Sequence, residues 1–304
     1  MVTRQRDLDV FQWGDPDGVR LVHFEDGLSF AVIGAVTERR LLLESVYGYL
    51  TLKNGVPIGY VLVSALFGSS EIAYNVFETF RGGESARIYG KVLSATRHLF
   101  GSDVFTIFPY QLGGYGNPEA LASGAWWFYQ KLGFRPRAPR VVAVMNQELA
   151  RLKANPSYRS PRATLKILAS ENLYFRLGKD RDDAIGLLEL PNVGLAVTDM
   201  LARRFGSDRE RGEATLTLEA RDLIGLRSLS GWSAGERQAF RRWAPLVTIL
   251  PGVARWTAAE RHGLAAVVRA KGGLHESDFV RLFDAHRKLR RAVATLAAPD
   301  LSPG

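Results

Sequence analysis

Apolar residues along this chain follow two rhythms. Up to about residue 135 they come in short dense runs broken by glycine or polar clusters, the pattern of strands in a covered sheet. SVYGYLTL (45–52) predicts a strand, KNGVP a hairpin turn built on Asn54 and Gly55, and IGYVLVSALFG (58–68) its partner strand. EIAYNVFETF (71–80), reached through Gly-Ser-Ser, predicts a third strand. ESARIYGKVLSATRHLF (84–100) has helical spacing and is closed by Gly101. DVFTIFPYQL (103–112) predicts a fourth strand, GGYGNPEA a loop, and LASGAWWFYQKLG (121–133) a helix. FRPRAPRVVAVM (134–145) supplies one more strand after its prolines. Ahead of residue 45 the clearest element is TERRLLLES (37–45), a short helix.

From Pro136–Pro139 onward the spacing turns helical. NQELARLKA, SPRATLKILASENLYFRL (160–177), VGLAVTDMLARRFG and EARDLIGLRSL each read as helices. Ser233 with Glu236, and Thr257 with Glu260, are capping boxes that start two more. SDFVRLFDAHRKLRRAVATLA (277–297) reads as one last helix, with Phe279, Leu282, Phe283, His286, Leu289, Val293 and Leu296 on a single stripe. His286 on that stripe reads as a core histidine with its hydrogen bonds satisfied. Strands joined first by hairpins and later by helical crossovers give an α/β fold with a mixed central sheet and flanking helices. A mainly α-helical C-terminal region follows, and the expected division is residues 1–145 and 146–304.

The composition, 46% hydrophobic and 23% charged, suits a globular chain long enough for two domains. No apolar run reaches membrane-spanning length, and MVTRQRDLDV has no apolar core behind its basic residues. The absence of cysteine excludes disulfides and thiolate chemistry and points to the cytoplasm. The net charge of +9 is uneven. Residues 1–136 carry 12 basic against 13 acidic side chains, and residues 137–304 carry 28 against 18. No basic block is interleaved with aromatic stacking residues, which argues against a nucleic-acid partner and for solvated helix faces. The five histidines have no metal-ligand spacing.

The chemistry concentrates in two stretches. FRGGESARIYG (80–90) joins a strand to a helix through a glycine pinch, a build that aims free backbone N–H groups at an anion. WWFYQKLGF (126–134) sets Phe128 and Tyr129 apart from Gly133 and Phe134 by three residues, with Ala125 one turn earlier. In this order and spacing, residues 41–145 resemble the GNAT superfamily, the Gcn5-related N-acetyltransferases.

The resemblance implies a fold that holds acetyl-CoA, or a related acyl-CoA, and passes its acyl group to an amine, with no metal. The family's Arg/Gln-x-x-Gly-x-Gly/Ala loop falls on Arg81, Gly82, Gly83, Glu84, Ser85 and Ala86, with Glu84 replacing the central glycine. Its carboxylate either turns inward, where it repels a phosphate, or faces water in the helix's first turn, where an acid is favourable. Backbone groups of Val76 and Phe77, at the end of the preceding strand, are implied to orient the cofactor and polarise its carbonyl. The family's asparagine in the later helix is replaced by Ala122, and Asn117 is the nearest candidate to serve instead. Tyr129 matches the tyrosine that protonates the departing thiolate, and Glu71 or Glu78 is the candidate general base. The alternative is a catalytically degenerate scaffold or CoA sensor whose helical region binds a protein partner.

Overall fold

The computed structural model describes residues 8–80 and 82–298. Seven strands form one sheet in chain order: β1 (Arg20–His23), β2 (Leu28–Gly34), β3 (Ser45–Lys53), β4 (Val56–Leu66), β5 (Ser69–Val76), β6 (Val104–Ile107) and β7 (Leu173–Arg176). All neighbours are antiparallel except β5 and β6, which run parallel. The helices preceding β7 are α1 (Asp9–Gln12), α2 (Ser85–Phe100), α3 (Pro109–Leu112), α4 (Pro118–Ser123), α5 (Ala125–Lys131), α6 (Pro139–Ala154) and α7 (Arg162–Leu168). After β7 come α8 (Pro191–Phe205), α9 (Arg209–Leu223), α10 (Ala234–Ile249), α11 (Ala258–Lys271), α12 (Glu276–Ala285) and α13 (Arg287–Ala297).

Local chemistry explains the hairpins. Asn54 (φ 50°) and Gly55 (φ 80°) form the expected two-residue turn between β3 and β4. The β4–β5 turn repeats this geometry with Phe67 (φ 58°) and Gly68 (φ 62°). A phenylalanine is strained there, but its ring is fully buried and meets Phe283 of α12 edge-on at 5.0 Å. β2 alternates between buried and half-buried positions along its whole length, the mark of a strand with one covered face.

Several expected elements come out differently. β5 ends at Val76, and Glu78–Phe80 is a 3₁₀ turn. β6 ends at Ile107 because Pro109 sits at the start of a helical turn, where its missing N–H costs nothing. The helix expected over 121–133 is two helices, separated by Gly124 at φ +67°. Instead of a strand over 134–145, a single bridge from Arg135 to Tyr174 is followed by α6, opened by Pro139. Its buried residues Val141, Met145 and Glu148 recur at helical spacing. The helix expected over 160–177 stops at Leu168, and residues 173–176 become β7 because the free edge of β6 takes a partner. Of TERRLLLES only Thr37–Arg39 is helical.

The last helix is broken at His286. Its Nδ1 accepts from the Leu289 N–H (3.1 Å), and its Nε2 lies 2.7 Å from the Glu260 carbonyl, so it caps α13 and ties it to α11. Both capping boxes form as expected, at the starts of α10 and α11.

The sheet thus takes its seventh strand from beyond residue 145, and buried side chains of both halves share one continuous core. α2 lies on the sheet face carrying Tyr47 and Tyr49. Tyr47 packs on Phe100 with ring centroids 5.2 Å apart, and the Tyr49 hydroxyl lies 3.3 Å from that of Thr96. α12 joins the same face: the Tyr47 hydroxyl accepts the Ser277 N–H at 2.9 Å. No helix among the described residues is long and apolar enough to cross a membrane.

Candidate functional site

The parallel joint of the sheet is short. β5 and β6 pair only through Ser69↔Val104, Ser70↔Phe105 and Glu71↔Thr106. Beyond Glu71, β5 continues beside β4 alone, while β6 turns away into α3. The Phe77 N–H donates to the Ile58 carbonyl at 2.9 Å. By strand alternation, Ile72 and Tyr74 then direct their peptide groups toward the side that β6 has left. A split opens in the sheet here, at the carboxyl ends of its two parallel strands, where open α/β sheets hold ligands.

Aromatic side chains cluster on the α2 face of the sheet beside the split. Tyr74 of β5 meets Tyr89 of α2 at 5.3 Å, and Tyr89 meets Tyr129 of α5 at 5.5 Å, Phe128 at 6.0 Å and Phe134 at 6.0 Å. Tyr129 is 3% exposed and Tyr89 is fully buried. Burial holds all three phenols protonated: it pushes Tyr74 up to about 12, and Tyr89 and Tyr129 are raised as well. The influences on Tyr129 are burial and then the Tyr74 phenol; no carboxylate is among them.

At the end of β5 the glycine pinch is open. A Cβ on Gly82 or Gly83 would meet nothing within 4 Å, so packing does not demand glycine at either position. Ser85 starts α2, its hydroxyl and its N–H both donating to the Gly82 carbonyl (3.0 and 3.3 Å), and the rest of the first turn opens at this end. Ala86 follows in the same exposed turn. Arg81 lies outside the described residues. Glu84 occupies the N-cap position without capping through its side chain. Its carboxylate instead lies 3.4 Å from Lys53 and 3.9 Å from Arg87, and Arg87 also pairs with Asp26.

The other expected site residues are placed as follows. Val76 ends β5 opposite Gly59, whereas the Phe77 N–H is committed to Ile58, and the Phe77 ring is partly exposed beside Tyr60. Asn117 caps α4: its Oδ1 accepts from the Ala120 N–H at 3.1 Å and its Nδ2 donates to the Tyr110 carbonyl at 2.8 Å. Both ends of its amide therefore serve the fold. Glu71 alternates with Ile72 and so belongs to the sheet face opposite Tyr74. Glu78 lies in the exposed 3₁₀ turn. The structure brings neither carboxylate to Tyr129. It does bring Tyr74 and Tyr89 there, two residues the sequence reading missed. Their signal was present in the alternation Ile72, Tyr74 on β5 and in the placement of Tyr89 one turn into α2.

A second feature lies at the other end of the parallel strands. A cleft of about 400 Å³ is lined by Asp103, Arg181, Asp183, Arg281, Asp284 and Arg290 with Gly68 and Phe100. Arg181 bridges Asp103 (2.8 Å) and Asp183 (2.6 Å), and Arg290 pairs with Asp183. Asp284 accepts the Gly68 N–H at 2.8 Å. Among the described residues no group of three or more histidine or acidic side chains is arranged to hold a metal.

Neither the family models, the curated proteins nor the solved structures compared with this chain include a match.

Proposed function

We propose that this chain binds an acyl-CoA along the β5/β6 split and transfers the acyl group to an amine, as its resemblance to the GNAT superfamily implies. The observation that carries this reading is the early end of β5/β6 pairing at Glu71↔Thr106, which leaves a peptide edge beside a buried tyrosine cluster. An extended pantetheine arm pairs with such an edge as a strand does. The pyrophosphate then lies over Gly82, Gly83 and the start of α2. Glu84 presents little obstacle, since Lys53 and Arg87 draw its carboxylate aside.

In this reading the amine attacks the thioester directly, giving a tetrahedral intermediate whose collapse releases the CoA thiolate. Burial fits Tyr129 for part of the family's role. A phenol held above its ordinary value stays protonated, but it is then a poorer acid than a thiol near ~8.5. Tyr129 therefore stabilises the departing sulfur by donating a hydrogen bond. The thiolate takes its proton from the ammonium formed by attack, and water deprotonates the incoming amine. The lack of cysteine is in keeping with a cytoplasmic setting.

One observation favours a second reading, a CoA sensor without turnover: no carboxylate influences Tyr129. The helical region then carries the signal to a protein partner. Calorimetric titration with acetyl-CoA, followed by a thiol-reagent assay of CoA release across a panel of amines, separates the two. Amine-dependent release is the expected result; binding without release selects the sensor. No binding at millimolar acetyl-CoA removes both.

A further inference from the structure

Tyr89 has no part in the reaction just described, and the fold gives its hydroxyl nothing to do. Its fully buried ring packs among Tyr74, Phe128, Tyr129 and Phe134, yet its hydroxyl has no hydrogen-bond partner among the described residues. The Tyr74 hydroxyl is in the same condition. Ser85 is a polar neighbour that influences it but lies outside hydrogen-bond geometry, its own proton going to the Gly82 carbonyl. A buried hydroxyl without a partner is a net cost that phenylalanine, with the same ring, avoids.

Elsewhere the fold satisfies its buried tyrosines. Tyr47 accepts the Ser277 N–H, Tyr49 meets Thr96, and Tyr174 donates to the Gly186 carbonyl at 3.0 Å. The two unbonded phenols occur together at the one place where the sheet is split. Their hydroxyls lie within electrostatic reach of each other: after burial, Tyr129 and then Tyr74 are what push Tyr89 up.

We infer that the hydroxyls of Tyr89 and Tyr74 are the hydrogen-bond donors that receive the carbonyl oxygen of the bound acyl group, with Tyr129 beside them at the sulfur. This rests on the acyl-CoA reading and adds to it side-chain donors for the thioester carbonyl, beside a strand end whose Phe77 N–H is committed to Ile58. A thioester carries oxygen and sulfur on the same carbon, so donors for the two must lie side by side, as the 5.5 Å separation of the Tyr89 and Tyr129 rings allows. Negative charge builds on that oxygen as the amine attacks, and donors held ready in a water-poor site stabilise it there. No bond within either phenol breaks, and each keeps its proton.

The test compares the wild type with Tyr89→Phe and Tyr74→Phe, measuring melting temperature without ligand and the affinities for acetyl-CoA and for free CoA by calorimetry. Each variant is expected to melt no lower than the wild type and to bind acetyl-CoA roughly five- to tenfold more weakly. Each is expected to bind free CoA, which has no acyl oxygen, unchanged. Equal affinity of wild type and Tyr89→Phe for acetyl-CoA overturns the inference and leaves the acyl-CoA reading standing. So does an equal loss for both ligands, which assigns the hydroxyl to the pantetheine arm. A Tyr89→Phe variant that melts lower or fails to fold shows a hydroxyl already satisfied by the fold and also overturns it. Failure of the wild type to bind acetyl-CoA removes the acyl-CoA reading itself, and the inference with it.

Discussion

Asp284 is a carboxylate surrounded by arginines whose acidity nonetheless falls. Burial raises its pKa to about 6, and the Arg290 charge and the Gly68 N–H only partly oppose that; Arg181 lowers it further and Asp183 raises it. The native state therefore holds this proton more tightly than the unfolded chain, whose carboxyl has its ordinary value of 3.8. The stabilisation is complete below the unfolded value and is lost as pH rises through about 6. Asp183, which Arg181 and Arg290 hold below its ordinary value against burial, works in the opposite sense at lower pH. Urea denaturation of wild type and Asp284→Asn at pH 4 and pH 7 isolates the effect. The wild type is expected to lose about 2 kcal/mol relative to the variant over that interval; a constant difference between the two would refute the assignment. None of this was legible in the sequence, where Asp284 is one polar position on a helical pattern. Its burial depends on the β4–β5 turn, more than 200 residues away in the chain. Glu84 was half legible. Its place at the start of α2 could be read, but the Lys53 and Arg87 that turn its carboxylate aside could not.

Elements whose signals are local appear as read. In the capping box at α10 the Ser233 side chain accepts the Glu236 N–H at 3.1 Å, and Glu236 Oε2 accepts the Ser233 N–H at 2.7 Å. Four residues carry the whole motif, so the sequence sufficed. Ser233→Ala leaves the Glu236 N–H without its acceptor, and a loss of about 1 kcal/mol is expected in urea denaturation. A loss too small to measure would mean that the Arg269–Glu236 pair (2.9 Å) and tertiary packing hold this end of the helix unaided. Elements decided at a distance were misread. LYFR becomes β7 because β6 offers an edge, and VVAVM becomes helix because Pro139 opens it and its i, i+4, i+7 positions are the ones buried. The split between β5 and β6 belongs to the same class. Pro109 was visible, but that it would end β6 after four residues, and so free the edge of β5, depends on how the two strands meet.

At the scale of the whole molecule, buried ions clamp the helical half onto the sheet half. Lys271 Nζ lies 2.5 Å from Glu276 and donates to the carbonyls of Leu43 and Glu44, each at 3.0 Å. Arg40, also buried, donates to the carbonyls of Ala35 (3.0 Å), Lys271 (2.8 Å) and Gly273 (2.6 Å). Trp243 of α10 donates its indole N–H to the Leu42 carbonyl at 2.9 Å. Burial pulls the Lys271 pKa down while Glu276 holds it up, the condition of a charge kept in the core by its partner. Removing one partner strands the other, so Lys271→Met is expected to cost about 3–5 kcal/mol. A fragment ending at residue 145 loses more. It lacks β7 over the edge of β6, and it exposes Phe67 and Tyr47 where α12 covers them. That fragment is expected to aggregate or to resist folding, whereas the full chain unfolds in one transition in which Lys271→Met moves signals from both halves together. Two separated transitions in the full chain, with Lys271→Met shifting only the one assigned to the helices, would show halves that fold independently. The buried ions would then be an interface and not part of a common core.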